Sequence, residues 1–455
     1  MLIVCSLITF CLTRRQRRVR VKRIVIPTHA PERPCSQGLV RQCFFIATLL
    51  IDALLCPSLW PEQTALEAHF RPYTQGMPRV AGLEPGVTLS TTNSQLAKDV
   101  LPPEVLQLIS AGDVSITIQD TTDLPPRQSY FDATLHHSQA VSLNGDGVLA
   151  NYQAGVPFPL LAHSDPHAGE KLAWNLRYRD MGESFELRAH PRQFNASGGI
   201  EHSNRGHMRI RFGMHRPNPA DNDPQWQAQG VYLKNSFELL APSDQEGVMN
   251  LRTFYNDARR TVEQWRYSPQ NRRTRKDYVN FLSPIGGYYE MLQEEQPPFF
   301  FQGYLHEYTW TFDGARLMLV PGFLRTIELQ YGGKNNWYPQ VPWELRRTLV
   351  LSCTPLHSHP FGKRVFFLDQ QTYTPLMILT YNAAGTFIRL VLTAHAHPAS
   401  HPGSNGLPLP LLVGTSWINY AKDRATLFTL SDTMTYNVPL GARRFELMEI
   451  LRKGK

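Results

Sequence analysis

The chain has 455 residues, with 46 lysines and arginines against 38 aspartates and glutamates and a formal net charge of +8. Such a charge would suit an anionic partner, but residues 1–42, with nine bases and one acid, carry all of it. From residue 77 onward 36 basic residues stand against 34 acidic ones, which argues against a nucleic-acid partner.

Cysteine usage also divides the chain. Five of the six cysteines lie in the first 56 residues, and Cys353 is the only one after them. A lone cysteine excludes a disulfide scaffold or a zinc ribbon in the body of the chain. Cys353 lies in an apolar run, so we predict an inert buried side chain. The 42% of hydrophobic residues is enough for a sizeable core and excludes intrinsic disorder.

The start of the chain, residues 1–42, is a basic extension that fits no targeting pattern. Its apolar stretch precedes the arginine cluster, which is the reverse of the order in a signal peptide. We therefore predict an over-extended gene start, with translation beginning near Leu39 or Val40.

The next segment, residues 43–68, resembles a signal peptide. Residues 43–56 form an apolar run that is too short to span a bilayer but typical of the central region of a secretory signal. The small residues Ala65 and Ala68 predict cleavage between Ser58 and Ala68. Export is therefore predicted, and a buried or interfacial segment is the alternative.

The body, residues 77–455, is predicted to be one β domain. Apolar and polar residues alternate cleanly at 114–118 and 208–212. Twelve further strands are predicted at 231–240, 249–254, 261–267, 304–312, 316–320, 325–331, 344–353, 364–369, 375–381, 387–393, 415–420 and 425–430. Turn residues separate many of them, for example Asp313-Gly314. A short helix is predicted at 103–109.

Strands with few helices between them favour an antiparallel sheet or barrel over a fold of alternating strands and helices. An outer-membrane barrel is the alternative. The strand that begins at Glu344 argues against it, because Glu344 and Arg346 point to one face and Arg347 to the other.

Five ordered motifs carry a family likeness. They are residues 151–159 (NYQAGVPFP), 165–169 with 174–175 (DPHAG, WN), 265–269 with 272–275 (WRYSP, RRTR), 343–347 (WELRR) and 359–364 running to Asp369 (HPFGKR). With these motifs the chain resembles, over residues 82–455, the bacterial family known as domain of unknown function 1329.

That family is similar in fold to the LolA and LolB carriers that sort outer-membrane lipoproteins. The resemblance implies a mainly β fold, an incomplete antiparallel β-barrel with short helices, and an apolar cavity suited to acyl chains. It also implies export to the periplasm or outer membrane, and it brings no catalytic residues. A His- and Pro-rich insertion at 395–410 departs from the family pattern.

Two histidine groups are candidate metal ligands. His395 and His397 would share one face of a strand, with His401 nearby, but prolines break the segment and a solvent-exposed loop is the favoured interpretation. His357 and His359 form a similar pair in a turn. No metal site is therefore predicted.

Other chemistry has little support. The sequence contains no Gly-x-Ser-x-Gly or His-Glu-x-x-His motif and no phosphate-binding loop, so we predict no catalytic residues and no cofactor. The densest basic run of the body, at 272–276 (Arg272, Arg273, Arg275 and Lys276), suits anionic lipid headgroups. A solvated strand end paired with Asp277 and Glu290 is the favoured alternative.

Seven tryptophans could line a cavity, although ordinary core packing is favoured for each: Trp174, Trp226, Trp265, Trp310, Trp337, Trp343 and Trp417. The ligand-binding residues themselves are not predicted.

These observations predict an exported, non-enzymatic carrier or scaffold that binds a lipid, a lipoprotein or another hydrophobic molecule. An apolar concave surface can bind an acyl chain without charge or cofactor, because each buried methylene contributes about 0.8 kcal/mol. Two alternatives stay open: an exported metal-dependent hydrolase, and a protein-binding accessory of an envelope transporter.

Overall fold

A computed structural model describes residues 59–326, 328–430 and 434–453, which belong to one compact unit. The predicted basic extension at 1–42 and the apolar run at 43–56 lie outside the described residues. None of the helices in the described ranges is long and apolar enough to cross a membrane.

Six α-helices occur among the described residues. They are α1 (Leu59–Phe70), α2 (Pro103–Ser110), α3 (Gln128–His137), α4 (Ala168–Arg177), α5 (Pro224–Ala228) and α6 (Leu447–Lys453). Helix α2 confirms the predicted helix at 103–109. Its first residue is Pro103, whose fixed φ suits a helix start, and Val105, Leu108 and Ile109 form its buried side.

The described strands number 22, most of them in one long sheet. In chain order they are β1 (Thr88–Leu89), β2 (Ile116–Thr117), β3 (Ser142–Leu143), β4 (Leu149–Ala150), β5 (Ser184–Phe194), β6 (Ile200–Ser203), β7 (Arg205–Phe212), β8 (Val231–Ala241), β9 (Met249–Tyr255), β10 (Glu263–Ser268), β11 (Arg273–Tyr278), β12 (Tyr308–Pro321), β13 (Phe323–Leu324), β14 (Tyr331–Gly332), β15 (Tyr338–Pro339), β16 (Trp343–Pro355), β17 (Lys363–Asp369), β18 (Pro375–Tyr381), β19 (Phe387–Ala396), β20 (Leu411–Asn419), β21 (Arg424–Thr429) and β22 (Thr435–Tyr436).

The long sheet has the order β11-β10-β9-β8-β7-β5-β21-β20-β19-β18-β17-β16-β12, and β6, β13 and β22 pair beside this path. Neighbours on the path are antiparallel. Within the described residues β11 and β12 are each paired on one side only, so the sheet does not close. The predicted mainly β fold with an unclosed antiparallel sheet is confirmed.

One face of the sheet, here called the inner face, carries Leu187 and Trp417. Trp417 pairs with Thr426 of β21, and Thr426 pairs with Gln193 of β5, which shares its face with Leu187. Residues 281–307 pack on this face, and the ring of Phe300 stacks on Trp417 with centroids 6.3 Å apart. The opposite face is covered too, since Ser416 donates a hydrogen bond to the Trp337 carbonyl.

Burial on both faces explains the composition of the central strands. All nine residues of β20 are buried, and in β18 every residue except Tyr381 is buried. These strands are therefore continuously apolar or small rather than alternating, which is the pattern expected when neither face meets water.

Two strand predictions are wrong. Asp313-Gly314 is not a turn, because 304–312 and 316–320 belong largely to the single strand β12, which bulges between Phe312 and Gly314. Gly314 has a φ of +102°, which favours glycine at such a bulge. The predicted strand at 325–331 is also wrong, because of its described residues only Tyr331 lies in a strand.

Helix α1 joins the core although it overlaps the predicted cleavage region. Leu66 and Phe70 are buried, and the Phe70 carbonyl accepts a 2.8 Å hydrogen bond from the Gln371 side chain. Cleavage between Ser58 and Ala68 stays a prediction. A cut that preserves these contacts must fall before Leu66.

Candidate ligand-binding site

A cavity of about 190 Å³ lies on the inner face, between strands β5, β7, β8, β9 and β10 and the residues 285–296 that cover them. We call it the inner cavity. It is lined by Ala189, Pro191, Asn204, Gly206, Met208, Asn235, Phe237, Leu239, Gln245, Val248, Asn250, Arg252, Arg266, Ile285, Gly286, Tyr289, Met291, Gln293, Gln296 and Phe428. An apolar protein cavity of about 150 Å³ is large enough for benzene, so this one can hold a ring or a short acyl segment.

The space exists because two paired positions have small side chains. Ala189 of β5 lies opposite Gly206 of β7. A Cβ atom at Gly206 would lie 2.5 Å from the ring of Phe237, so only glycine lets this ring lie flat against the strand. Small residues next to a large ring leave an unfilled volume above the sheet.

The floor of the inner cavity changes from apolar to polar along the sheet. One row of paired residues runs from Met208 through Phe237 to Asn250 and then to Arg266. Arg266 is exposed and also lines the cavity, so the cavity reaches solvent at β10. The polar end is therefore a mouth of the cavity, and Gln245 and Gly286 form a second exposed part of the lining.

Arg252 is the most unusual residue of the lining, because it is a buried cation with only 8% of its surface exposed. Its Nε donates to the Gln264 Oε1 at 2.7 Å and its Nη2 to the Gln293 Oε1 at 2.7 Å. A third contact, to the Gln296 Oε1, is long at 3.4 Å. Across the described residues no carboxylate forms an ion pair with it.

Burial lowers the pKa of the Arg252 guanidinium to about 10. The group therefore stays charged at neutral pH, and the free-energy cost of burying it is offset only by neutral amide oxygens. The strand itself was predicted, but its alternation gave no sign that Arg252 is buried.

Residues 285–296 are held over the cavity by a buried cluster of opposite charges, the carboxylate–arginine cluster, which consists of Glu294, Glu295, Arg364 and Arg389. Arg364 lies 2.7 Å from Glu294, and Arg389 binds Glu295 through both terminal nitrogens, one at 3.0 Å. All four side chains are no more than 2% exposed. Because the glutamates come from the cover and the arginines from β17 and β19, the cluster fixes the cover to the sheet.

Glu294 and Arg364 of the cluster favour their charged forms, as the directions of their pKa shifts show. Burial raises the pKa of Glu294, but the charge of Arg364 and hydrogen bonds from His359 and Tyr308 outweigh it, so the pKa lies below its usual value. The Tyr308 hydroxyl donates to the Glu294 Oε2 at 2.7 Å. His359, which was considered as a metal ligand, instead lies beside this cluster, with its Nε2 3.4 Å from the Glu294 Oε1.

A second buried cluster joins Glu344, Arg346 and Asp369, all of them 0% exposed. Arg346 lies 2.6 Å from Glu344 and 2.9 Å from Asp369. The backbone N–H of Thr122 donates to the Glu344 Oε2 at 2.9 Å, which ties in the chain before α3. The prediction that Arg347 points to the opposite face from Glu344 and Arg346 is correct, since Arg347 is exposed. Charged residues of two family motifs therefore serve buried ion pairing.

The histidines of 395–401 take structural positions. His395 is 3% exposed and lies beside Thr393, while the Nδ1 of His397 accepts a 3.1 Å hydrogen bond from Ala399. His401 is also buried, and its Nδ1 accepts from Gly403 at 3.0 Å. The prediction of a solvent-exposed loop is wrong for His395 and His401, which are buried, whereas Ala399, Pro402, Asn405 and Gly406 are exposed as expected. The described ranges contain no group of three side chains placed to hold a metal.

His395 makes stability depend on pH. Burial lowers its pKa to about 3, below the ordinary value of 6.5, so the folded state favours the neutral ring. The resulting stability is present above pH 6.5 and is lost as the pH falls towards 3. Between pH 7 and pH 5 we expect urea denaturation to show about 2 kcal/mol less loss for His395→Phe than for the unmodified protein. Equal losses would contradict this.

The structure also places Cys353, the basic run at 272–276 and the seven tryptophans. Cys353 is buried and free, and burial raises the pKa of its thiol to about 11, as expected for an inert residue. The basic run forms β11 at the open edge, where Arg275 pairs with Asp277 at 3.3 Å. Glu290 is not its partner, since it pairs with Lys422. None of the seven tryptophans lines the inner cavity.

A family model described as "Protein of unknown function (DUF1329)" matches residues 88–447. The chain is similar to Uncharacterized protein PA3922 of Pseudomonas aeruginosa, with 24% identity over 341 residues, 70% of each chain.

Two solved structures are also similar. A DUF1329 family protein from Desulfovibrio piger is 12% identical with a TM-score of 0.41, and the match covers 61% of this chain and 96% of that one. A LolA superfamily protein, NE2245 from Nitrosomonas europaea, is 10% identical with a TM-score of 0.37 and coverages of 60% and 94%. Both likenesses are weak, and the family assignment rests on the family model.

Proposed function

This chain belongs to the DUF1329 family, and we propose that it is an exported carrier that binds a lipid, the acyl part of a lipoprotein or another hydrophobic molecule in the inner cavity. The observation that carries the proposal is an unfilled, partly apolar volume of about 190 Å³ on the inner face. Export to the periplasm or outer membrane is part of the proposal and is supported by the signal-like residues 43–56.

The energetics favour a ligand with a short buried part. At about 0.8 kcal/mol per methylene, burying four to six methylenes contributes roughly 3–5 kcal/mol before the costs of association. The carboxylate–arginine cluster fixes the cover, so a longer tail would emerge where the lining is exposed, at Arg266 or beside Gln245 and Gly286, unless the cover moves. The cavity thus suits reversible binding, as a carrier requires.

Native mass spectrometry of the protein purified from its own cell envelope tests this function. We expect a bound mass that leaves on unfolding and is extracted as an apolar or amphipathic molecule. A protein that is empty in every preparation and binds no added octanol or octanoate would contradict the proposal. Bound metal would instead support the hydrolase, and a stable protein partner the transporter accessory.

A further inference from the structure

The lining of the inner cavity has a marked charge imbalance. It includes the two arginines Arg252 and Arg266, and it contains no aspartate or glutamate. Arg266 lies opposite Arg275 of β11 in the sheet register, so positive charge continues from the open edge of the sheet to the mouth. Although Arg275 pairs with Asp277, two arginines without a carboxylate in the lining favour an anion there.

Arg252 provides a specific place for that anion. A guanidinium has five N–H groups. Arg252 donates three hydrogen bonds to described residues, and one of these bonds is long. Buried charges are normally paired, and a cation that meets only amide oxygens lacks the counter-charge that would offset its desolvation. A carboxylate or phosphate group can take two parallel N–H bonds from such a fork.

The apolar part of the lining lies on the neighbouring strands. Asn235 of β8 is the paired neighbour of Arg252 on the inner face, and Phe237 lies two residues further along β8 on the same face. Phe237 in turn pairs with Met208 of β7. A ligand with its charged group at Arg252 could therefore lay an apolar tail over Phe237 and Met208.

We propose that the inner cavity binds an amphipathic anion, whose carboxylate or phosphate lies against the Arg252 guanidinium and whose apolar tail lies over Phe237 and Met208. The proposal rests on the carrier function and names the chemical class of its ligand. Arg252 is the specificity-determining residue, and Arg266 attracts the anion at the mouth.

Calorimetric titration of the full-length protein with octanoate, octyl phosphate, octanol and inorganic phosphate tests the proposal. We expect at least one of the two charged octyl ligands to bind tenfold or more tightly than octanol, and inorganic phosphate alone to bind weakly. The stronger of the two charged ligands identifies the headgroup.

Equal binding of octanol and both anions would overturn the inference and leave the carrier function standing. If no octyl compound binds, both the inference and the carrier function are overturned. Binding of inorganic phosphate as tight as that of octyl phosphate would show a free-anion site and overturn the amphipathic ligand.

Two variants assign the headgroup to Arg252. Arg252→Gln should abolish the preference for the anion while octanol affinity stays within threefold, and Arg252→Lys should retain part of it. A preference that persists in Arg252→Gln would overturn the assignment.

A measurement on the unmodified protein does not depend on variant folding. In an NMR titration of carboxyl-labelled octanoate, a neighbouring guanidinium should lower the pKa of the bound carboxyl group below that of free octanoate. A raised pKa would show an apolar site without a cation and would overturn the proposal.

Discussion

Replacing Glu295 by glutamine should lower the free energy of unfolding by about 3–5 kcal/mol. Glu295 accepts from Arg389 through both carboxylate oxygens and lies 3.3 Å from Arg364. The substitution leaves two buried guanidinium groups with one carboxylate between them, so the loss includes their uncompensated desolvation. Guanidinium chloride denaturation measures it.

The matched control is Asp120→Asn, which also removes one carboxylate from an ion pair. Asp120 lies 3.2 Å from Arg79, and the two side chains are 69% and 60% exposed. An exposed pair of this kind contributes about 0–1 kcal/mol. If the two substitutions cost the same, the carboxylate–arginine cluster does not hold the cover in place.

Filling the inner cavity should remove ligand binding, while the free energy of unfolding falls by less than it does in Glu295→Gln. Ala189→Phe places a phenyl ring in the space above Gly206. Excluding even two methylenes of a tail costs about 1.6 kcal/mol, which is more than tenfold in affinity. Titration with octanol, which lacks the charge that Arg252 would recognise, measures this effect separately from the headgroup.

Ala220→Phe is the matched control, because Ala220 is exposed and lies outside the cavity lining. It should bind octanol as the unmodified protein does. Unchanged affinity in Ala189→Phe would show that the octyl tail lies elsewhere.

Much of the sheet could be predicted from alternation, but the strand at its centre could not. In β5 the residues Phe185, Leu187 and Ala189 alternate with charged ones, yet Pro191 interrupts the pattern and argues against a central strand. On one side of β5, residues 184–189 pair with β7 and residues 192–194 pair with β6, so the proline lies in the gap between these two partners. On the other side, residues 190–194 pair with β21. Neither this gap nor a partner so distant in the chain leaves a local sequence signal.

The candidate site could not be predicted for a similar reason. The strand at 249–254 was predicted without an assignment of its faces. In the structure Asn250, Arg252 and Phe254 share one face, and polar residues on a strand face normally meet water. Arg252 is buried because Gln293 and Gln296 of the cover lie over it, and these residues belong to short irregular segments. Their position depends on ion pairs with β17 and β19, which periodicity does not reveal.

The family motifs were recognisable from the sequence, but their physical role was not. In the sequence, Glu344 and Arg346 served only to argue against an outer-membrane barrel, and Arg364 and Asp369 were only members of a motif. In the structure each is buried in an ion cluster. Glu344, Arg346 and Asp369 meet on the consecutive strands β16 and β17, but Arg364 meets Glu294 of the cover, which lies far away in the chain. Periodicity within a strand reveals neither contact.

Photo-crosslinking tests the central claim most directly, because it shows where an acyl tail lies. A fatty acid with a diazirine at the end of its chain should label Met208, Phe237 or Met291 when irradiated with the unmodified protein. Excess octanoate should suppress the labelling, and Ala189→Phe should abolish it. Labelling spread over exposed residues, or unchanged by the competitor and by Ala189→Phe, would contradict a carrier that uses the inner cavity.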